Sequence, residues 1–354
     1  MKFVVKILSL LLAGITCLSL FGCNNQGSVI ELFYFNTTIH IETHDKPIKS
    51  KVLTQIKTSL SSLENTFDLE SENGLISTFN SAEAGFKFEN LTNDEVNVLS
   101  TSNLSFTLTD GLFNPTVYPL VKLWGFTPYK FSSNFIPPSA EQINEVLPLC
   151  DFSALSFDEE NKTLTKLTGD VKLDFGGLVK GYASDKVADI LLDAGHKSGY
   201  VNIGGSSLTL LSVQSLGIRH PDKKGQSILE VDVLGKENIS VSTSGDYERF
   251  HIDNENNKYS HLINPKNGYP TKTSVRSATV IGASGAVADA LTTALCLCEY
   301  KTELPILLER ITARYTGCMV FIVYDKDEQK EILTNKKQGE NFTLKDTDYK
   351  VVNF

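Results

Sequence analysis

The chain has 354 residues, 41% of them hydrophobic and 21% charged, with a formal net charge of −9. This composition excludes a disordered or fibrous chain. The excess of 42 acidic over 33 basic side chains argues against a nucleic-acid binder, so an anionic ligand would have to be met locally, by backbone N–H groups or a bound cation.

The amino terminus reads as an address. Lys2 and Lys6 precede an apolar run from Ile7 to Phe21, followed by Gly22-Cys23 and the polar Asn24-Asn25-Gln26. A basic start, a short apolar segment and a small residue before the cut form a secretory signal. Leu20-Phe21-Gly22-Cys23 resembles a bacterial lipobox. The expectation is a lipoprotein signal peptide over 1–22 and a single mature domain over 23–354. Cys23 would be its acylated first residue, anchoring it in the bacterial cell envelope with the domain facing the periplasm or the exterior. The apolar run is short for a membrane span of roughly 20 residues.

Along the mature chain, residues 29–41 are rich in β-branched and aromatic side chains and predict an opening strand. Val52, Ile56, Leu60 and Leu63 recur at helical spacing within 48–67. A further helix is expected over 94–108, with Thr92 or Asn93 as its cap. A polar, Pro-containing loop follows over 127–138, then a short helix over 139–147. Residues 154–175 read as strand, turn, strand, strand. Next come a helix over 180–194, a strand region over 199–211 broken by Gly204-Gly205, and short strands up to Phe250. Helices over 286–297 and 304–313 precede a closing strand over 319–324. Strands and helices mix without regular βαβ alternation, which predicts an α+β fold. Cys150, Cys296, Cys298 and Cys318 lack metal-ligand spacing and are expected as buried small hydrophobes.

Five strings carry chemistry. In Asp174-Phe175-Gly176-Gly177-Leu178-Val179-Lys180 a carboxylate precedes two glycines and a helix with Lys180 in its first turn. Glycines let backbone approach a ligand, and a helix amino terminus favours anions. The second is Val201-Asn202-Ile203-Gly204-Gly205-Ser206, which alone reads as a β-bulge or sheet edge. The third is Ser242-Thr243-Ser244-Gly245-Asp246-Tyr247-Glu248-Arg249-Phe250. The fourth, Tyr259-Ser260-His261-Leu262-Ile263-Asn264-Pro265, places a histidine before a Pro turn. In the fifth, Asp289 and Thr293 share a helix face at i and i+4, offering two hard oxygens suited to Mg²⁺.

In this order the strings resemble the ApbE family of FAD:protein FMN transferases. Gly111-Leu112-Phe113-Asn114-Pro115 and Leu123-Trp124-Gly125-Phe126 belong to the same likeness, which runs from about Phe33 to Phe321. The resemblance implies an FAD site between two lobes of an α+β fold with a tunnelling-fold-like part. It implies Mg²⁺ held by Asp289, Thr293 and the carbonyl of Gly177. It also implies FAD contacts from Leu112, Phe113, Asn114, Asp174, Lys180 and Ile263. His261 would take the proton of a Ser or Thr hydroxyl on an acceptor protein, which attacks FAD and releases AMP. Asn114 and Asn264 stand where the family usually has Asp, losing a charge but keeping a hydrogen-bonding side chain. Two alternatives use the same residues: an Mg²⁺-dependent FAD pyrophosphatase giving FMN and AMP, and a non-catalytic flavin-binding lipoprotein.

Overall fold

The computed structural model describes residues 27–212, 215–233 and 237–354. The expected signal peptide and Cys23 lie outside the described residues.

The chain opens as a hairpin, β1 (Ser28–Tyr34) and β2 (Thr37–Thr43), where a single strand was expected. Phe35 and Asn36 both take a φ of 54°, the left-handed conformation that a two-residue type I′ turn requires at both positions. Helix α1 (Ser50–Phe67) buries Ile56, Leu60, Leu63 and Phe67. Helix α2 (Leu75–Ser81), β3 (Lys87–Phe88) and α3 (Asn93–Leu108) follow. Thr92 and Glu95 form a reciprocal capping box at the start of α3, as the sequence predicts. Short helices α4 (Tyr118–Leu123) and α5 (Ala140–Val146) flank the expected loop.

Next come β4 (Leu155–Asp158) and β5 (Thr163–Lys166). The third strand expected before Phe175 does not form. Its backbone is tied by a side chain instead of a ladder: Asn80 Nδ2 donates to the carbonyl of Leu173 at 2.9 Å, and Leu173 N–H donates to Asn80 Oδ1 at 2.7 Å. Helix α6 (Val179–Asp193) leads to β6 (Gly199–Ile203), β7 (Ser207–Ser212), β8 (Ser215–Arg219), β9 (Ser227–Asp232) and β10 (Glu237–Gly245). The Gly204-Gly205 pair, with φ of 63° and 71°, is the hairpin turn between β6 and β7. After β11 (Phe250–Ile252), β12 (Lys258–Ser260) and β13 (Val275–Ile281) come α7 (Gly285–Leu297) and α8 (Leu304–Arg314). The chain does not close at the strand expected over 319–324. That strand, β14 (Met319–Lys326), turns at Asp327 and continues into β15 (Gln329–Thr334), β16 (Phe342–Leu344) and β17 (Lys350–Asn353).

Nine strands form the central sheet in the order β1-β2-β6-β7-β10-β13-β14-β15-β17. Every pairing in it is antiparallel except β15 with β17, so the α+β expectation holds. The main core lies against this sheet beneath α1, α6 and α7. Two smaller cores complete the molecule. One sits under the β16-β9-β8 sheet, and the other is built from Leu120, Trp124, Phe126, Ile143, Cys150 and Ile263. Cys150, Cys296, Cys298 and Cys318 are buried free thiols, as expected.

Helices α6 and α7 touch backbone to backbone. A Cβ built on Gly181 would stand 2.0 Å from the carbonyl oxygen of Gly285, so only glycine fits. Each helix then carries an aspartate four residues on that accepts from the other helix. Asp289 Oδ2 accepts from Gly181 N–H at 3.1 Å, and Asp185 Oδ2 from Gly285 N–H at 2.6 Å. This reciprocal pair of Gly-xxx-Asp segments fixes where α7 presents Asp289 and Thr293.

Candidate active site

The loop from Asp174 to Leu178 enters the amino terminus of α6 directly in front of α7. Asp174 Oδ1 accepts from Gly176 N–H at 2.7 Å, and Asp174 N–H donates to the carbonyl of Pro115 at 2.8 Å. The carboxylate thus shapes the glycine turn. Burial pushes its pKa up, against the Gly176 N–H and the charges of Lys180 and Arg249. A Cβ on Gly177 would lie 3.3 Å from Thr293 Oγ1 and 3.5 Å from the Phe113 ring. The glycine therefore lets the loop backbone come close beside the Thr293 hydroxyl.

Asp289 is only 3% exposed. Its Oδ2 is used by Gly181 N–H, with Lys180 Nζ 3.9 Å away, while Oδ1 has no hydrogen-bond donor among the described residues. Thr293 Oγ1 donates to the Asp289 carbonyl at 3.2 Å and keeps its lone pairs. A carboxylate oxygen, a hydroxyl and a nearby backbone segment make a sparse, hard-oxygen donor set. Among the described residues no group of three or more His, Cys, Asp or Glu side chains could hold a metal alone. One protein carboxylate suits Mg²⁺, which keeps waters and takes ligand phosphates to complete its octahedron. Lys180 Nζ donates to the Gly176 carbonyl at 2.6 Å, which holds its charge across the same loop.

Leu112 and Phe113 are buried in the main core. Asn114 is engaged internally. Its Oδ1 accepts from Thr116 N–H at 2.9 Å and Thr116 Oγ1 at 2.6 Å, and its Nδ2 donates to the Cys150 carbonyl at 3.0 Å. An aspartate could not make that last bond, so the amide has a structural reason here. Ile263 buries its side chain in the small core around Trp124, which leaves its backbone for a ligand. Trp124 secures the turn after Ile263 by donating from Nε1 to the Gly268 carbonyl at 2.8 Å. Leu262 belongs to the main core and Ile263 to the small one, so the His261 segment runs along the seam between them.

His261 is half-buried, edge-on to Phe126 at 6.3 Å. Both its backbone N–H (3.0 Å) and its Nδ1 (3.1 Å) reach the carbonyl of Arg249. A carbonyl only accepts, so Nδ1 carries the proton and Nε2 is left as the acceptor. Burial and then the charge of Arg249, with Lys180 and Lys258 adding, push the imidazole pKa down to about 3. The ring is neutral at physiological pH. Glu248, open to solvent on one side yet crowded by protein, is pushed up to about 7 by burial, against Lys180, Arg249 and Arg219. Asp246 is paired with Arg276 at 3.2 Å.

A neutral imidazole with a free Nε2, a lysine, a lone buried carboxylate and a hydroxyl thus share one seam, fed by the expected strings. A family model described as the ApbE family matches residues 35–314. The chain belongs to the ApbE family. It is similar to a FAD:protein FMN transferase of Haemophilus influenzae, 28% identical over 82% of this chain and 86% of that one. A FAD:protein FMN transferase of Vibrio cholerae is 30% identical over 80% and 86% of the two chains. Among solved structures, the ApbE protein of Thermotoga maritima matches with a TM-score of 0.73 at 26% identity, covering 84% of this chain and 94% of that one. The flavinyl transferase ApbE of Pseudomonas stutzeri matches at 0.71 and 25%, covering 90% and 96%.

In this ApbE family member the sequence-predicted residues Asp174, Gly177, Lys180, Asp289 and Thr293 gather at the α6–α7 crossing. The charge of Lys180 links that group to His261. Phe113 lies behind Gly177, and Leu112, Phe113 and Asn114 present no free side-chain polar atom. Asn80 and Asp185 escaped the sequence reading, and Arg249 entered it only as a member of the third string, with no role of its own. Asn80 and Asp185 act through contacts 24 to 100 positions away, which no local pattern announces. A cleft of about 510 Å³ beside Asp185, Asp189, Ser240 and Ser284 is lined by none of the sequence-predicted site residues. Asp185 there is already satisfied by Ser240 (2.6 Å), Gly285 (2.6 Å) and Thr209 (2.8 Å).

Proposed function

We propose that this chain transfers the FMN part of FAD to a Ser or Thr hydroxyl of an acceptor protein and releases AMP. The observation that carries the reading is His261: a neutral imidazole, its Nδ1 proton committed to the Arg249 carbonyl, with Nε2 free beside a site built for a diphosphate. A hydroxyl is a poor nucleophile until its proton has an acceptor. His261 Nε2 takes that proton as the acceptor oxygen bonds to the FMN-side phosphorus, and the phosphorus–oxygen bond to AMP breaks with its electron pair. The negative charge of a bound diphosphate opposes the cations that depress His261 and so raises its basicity where it is needed. Lys180 supplies a point charge for the phosphate oxygens, and the Asp174 turn, by taking the Gly176 N–H itself, leaves the Gly177 backbone to face them.

Asp289, Thr293 and the backbone at Gly177 fit Mg²⁺, which when bound polarises phosphorus and offsets leaving-group charge. The reading extends to the amino terminus: Cys23 carries the lipid, and the domain works on exported acceptor proteins at the envelope surface. The relatives named above carry the transferase name, which supports the choice over hydrolysis. His261→Ala tests the assignment. General-base help is worth about 10²–10⁴-fold, so single-turnover transfer at saturating FAD should fall by that order while the FAD dissociation constant moves little. Normal transfer at saturation would remove His261 as the base.

A further inference from the structure

We infer that Arg249 is a second cationic ligand for the transferred phosphate, acting together with Lys180. The inference rests on the FMN-transfer reading and adds a residue to it.

Arg249 lies immediately before β11 and is bound to the base by its own backbone, because its carbonyl takes both the N–H and the Nδ1–H of His261. Its guanidinium lies over the ring of Tyr129, 5.6 Å from the centroid. That platform is fixed to the same neighbourhood. Tyr129 OH donates to the Phe250 carbonyl at 3.1 Å, and its ring stacks on Phe126 at 6.0 Å, the ring that His261 meets edge-on. Stacking occupies the face of a guanidinium and leaves its in-plane N–H donors free.

Among the described residues no carboxylate pairs with Arg249. Arg276 is the contrast, held by Asp246 at 3.2 Å and Asp222 at 3.0 Å. The two carboxylates on which its charge bears, Asp174 and Glu248, make no ion pair with it: Asp174 Oδ1 accepts from the Gly176 N–H, and Glu248 makes no ion pair among the described residues. The guanidinium lies over Tyr129, whose ring stacks on the Phe126 that His261 meets edge-on, so Arg249 sits beside the base, and its charge bears on both His261 and Asp174 of the glycine loop. An unpaired fork of donors there matches the oxygens of a phosphate.

In the transfer step the acceptor Oγ bonds to phosphorus, its proton moves to His261 Nε2, and the bond to AMP breaks with its electron pair leaving on AMP. Charge spreads over the remaining phosphoryl oxygens, which a planar guanidinium can meet two at a time. Lysine in its place would supply charge without that fork.

The test measures FAD and riboflavin dissociation constants and single-turnover transfer for the full chain, Arg249→Ala and Arg249→Lys, with and without added guanidinium. Arg249→Ala should weaken FAD binding roughly 10–100-fold while leaving riboflavin, which has no phosphate, unchanged. Added guanidinium should restore part of its transfer, and Arg249→Lys should recover FAD binding only in part. Unchanged FAD affinity, or equal losses for FAD and riboflavin, would overturn the inference. A wild-type chain that binds FAD but transfers nothing would sink the transfer reading instead, and the two dissociation constants would still decide Arg249.

Discussion

Asp289 and Thr293 offer oxygens of different charge to the same ligand. Replacing Asp289 by Asn keeps an acceptor for the Gly181 N–H but removes the only protein charge in the Mg²⁺ donor set. Replacing Thr293 by Val removes a neutral oxygen. Asp289→Asn should therefore weaken Mg²⁺ binding, read by calorimetric titration, by more than about tenfold, with a smaller loss for Thr293→Val. Equal losses, or none for Asp289→Asn, would displace the cation from this helix face. These two residues were legible because i, i+4 spacing on a helix is a local fact. Asn114 was legible only as a position. Its bonds to Thr116 and Cys150 make it a fixed part of its own turn, and the link to Cys150 spans 36 residues that sequence alone does not close.

At the scale of elements, the α6–α7 crossing does most to assemble the site. Gly181→Ala would drive a Cβ into the Gly285 carbonyl, 2.0 Å away, and force the helices apart. The expected cost is about 1–3 kcal/mol, measured by denaturant unfolding, with loss of Mg²⁺ affinity as Asp289 shifts from the Gly177 loop. Gly169→Ala is the control, since its nearest neighbour is 3.9 Å away and no left-handed φ is involved. If both variants unfold alike, the crossing does not govern the site. Helices read well from sequence because their apolar period and caps are local: Thr92 capped α3, and α6, α7 and α8 fell within a residue or so of expectation. Strands read less well. The turn at Phe35-Asn36 sits inside a run of β-formers, and the 171–175 segment has strand composition but pairs with a side chain, Asn80. The last three strands, after Asp327, have no strong alternation and form by pairing with β14, β15 and β9 already in place.

For the whole molecule, an anchored amino terminus and a catalytic seam are separate claims with separate tests. Mass spectrometry of the mature protein should find a lipid-modified Cys23 as its first residue, and an unmodified terminus elsewhere would remove the anchor without touching the chemistry. The chemistry is decided by one reaction. The chain is mixed with FAD, Mg²⁺ and a Ser- or Thr-containing acceptor protein, and the acceptor's intact mass and the nucleotides released are followed together. The acceptor should carry FMN through a phosphoester at a Ser or Thr, with one AMP released per FMN attached. Free FMN and AMP beside an unmodified acceptor, across a panel of exported flavoprotein acceptors, would contradict transfer and make the same seam a hydrolase.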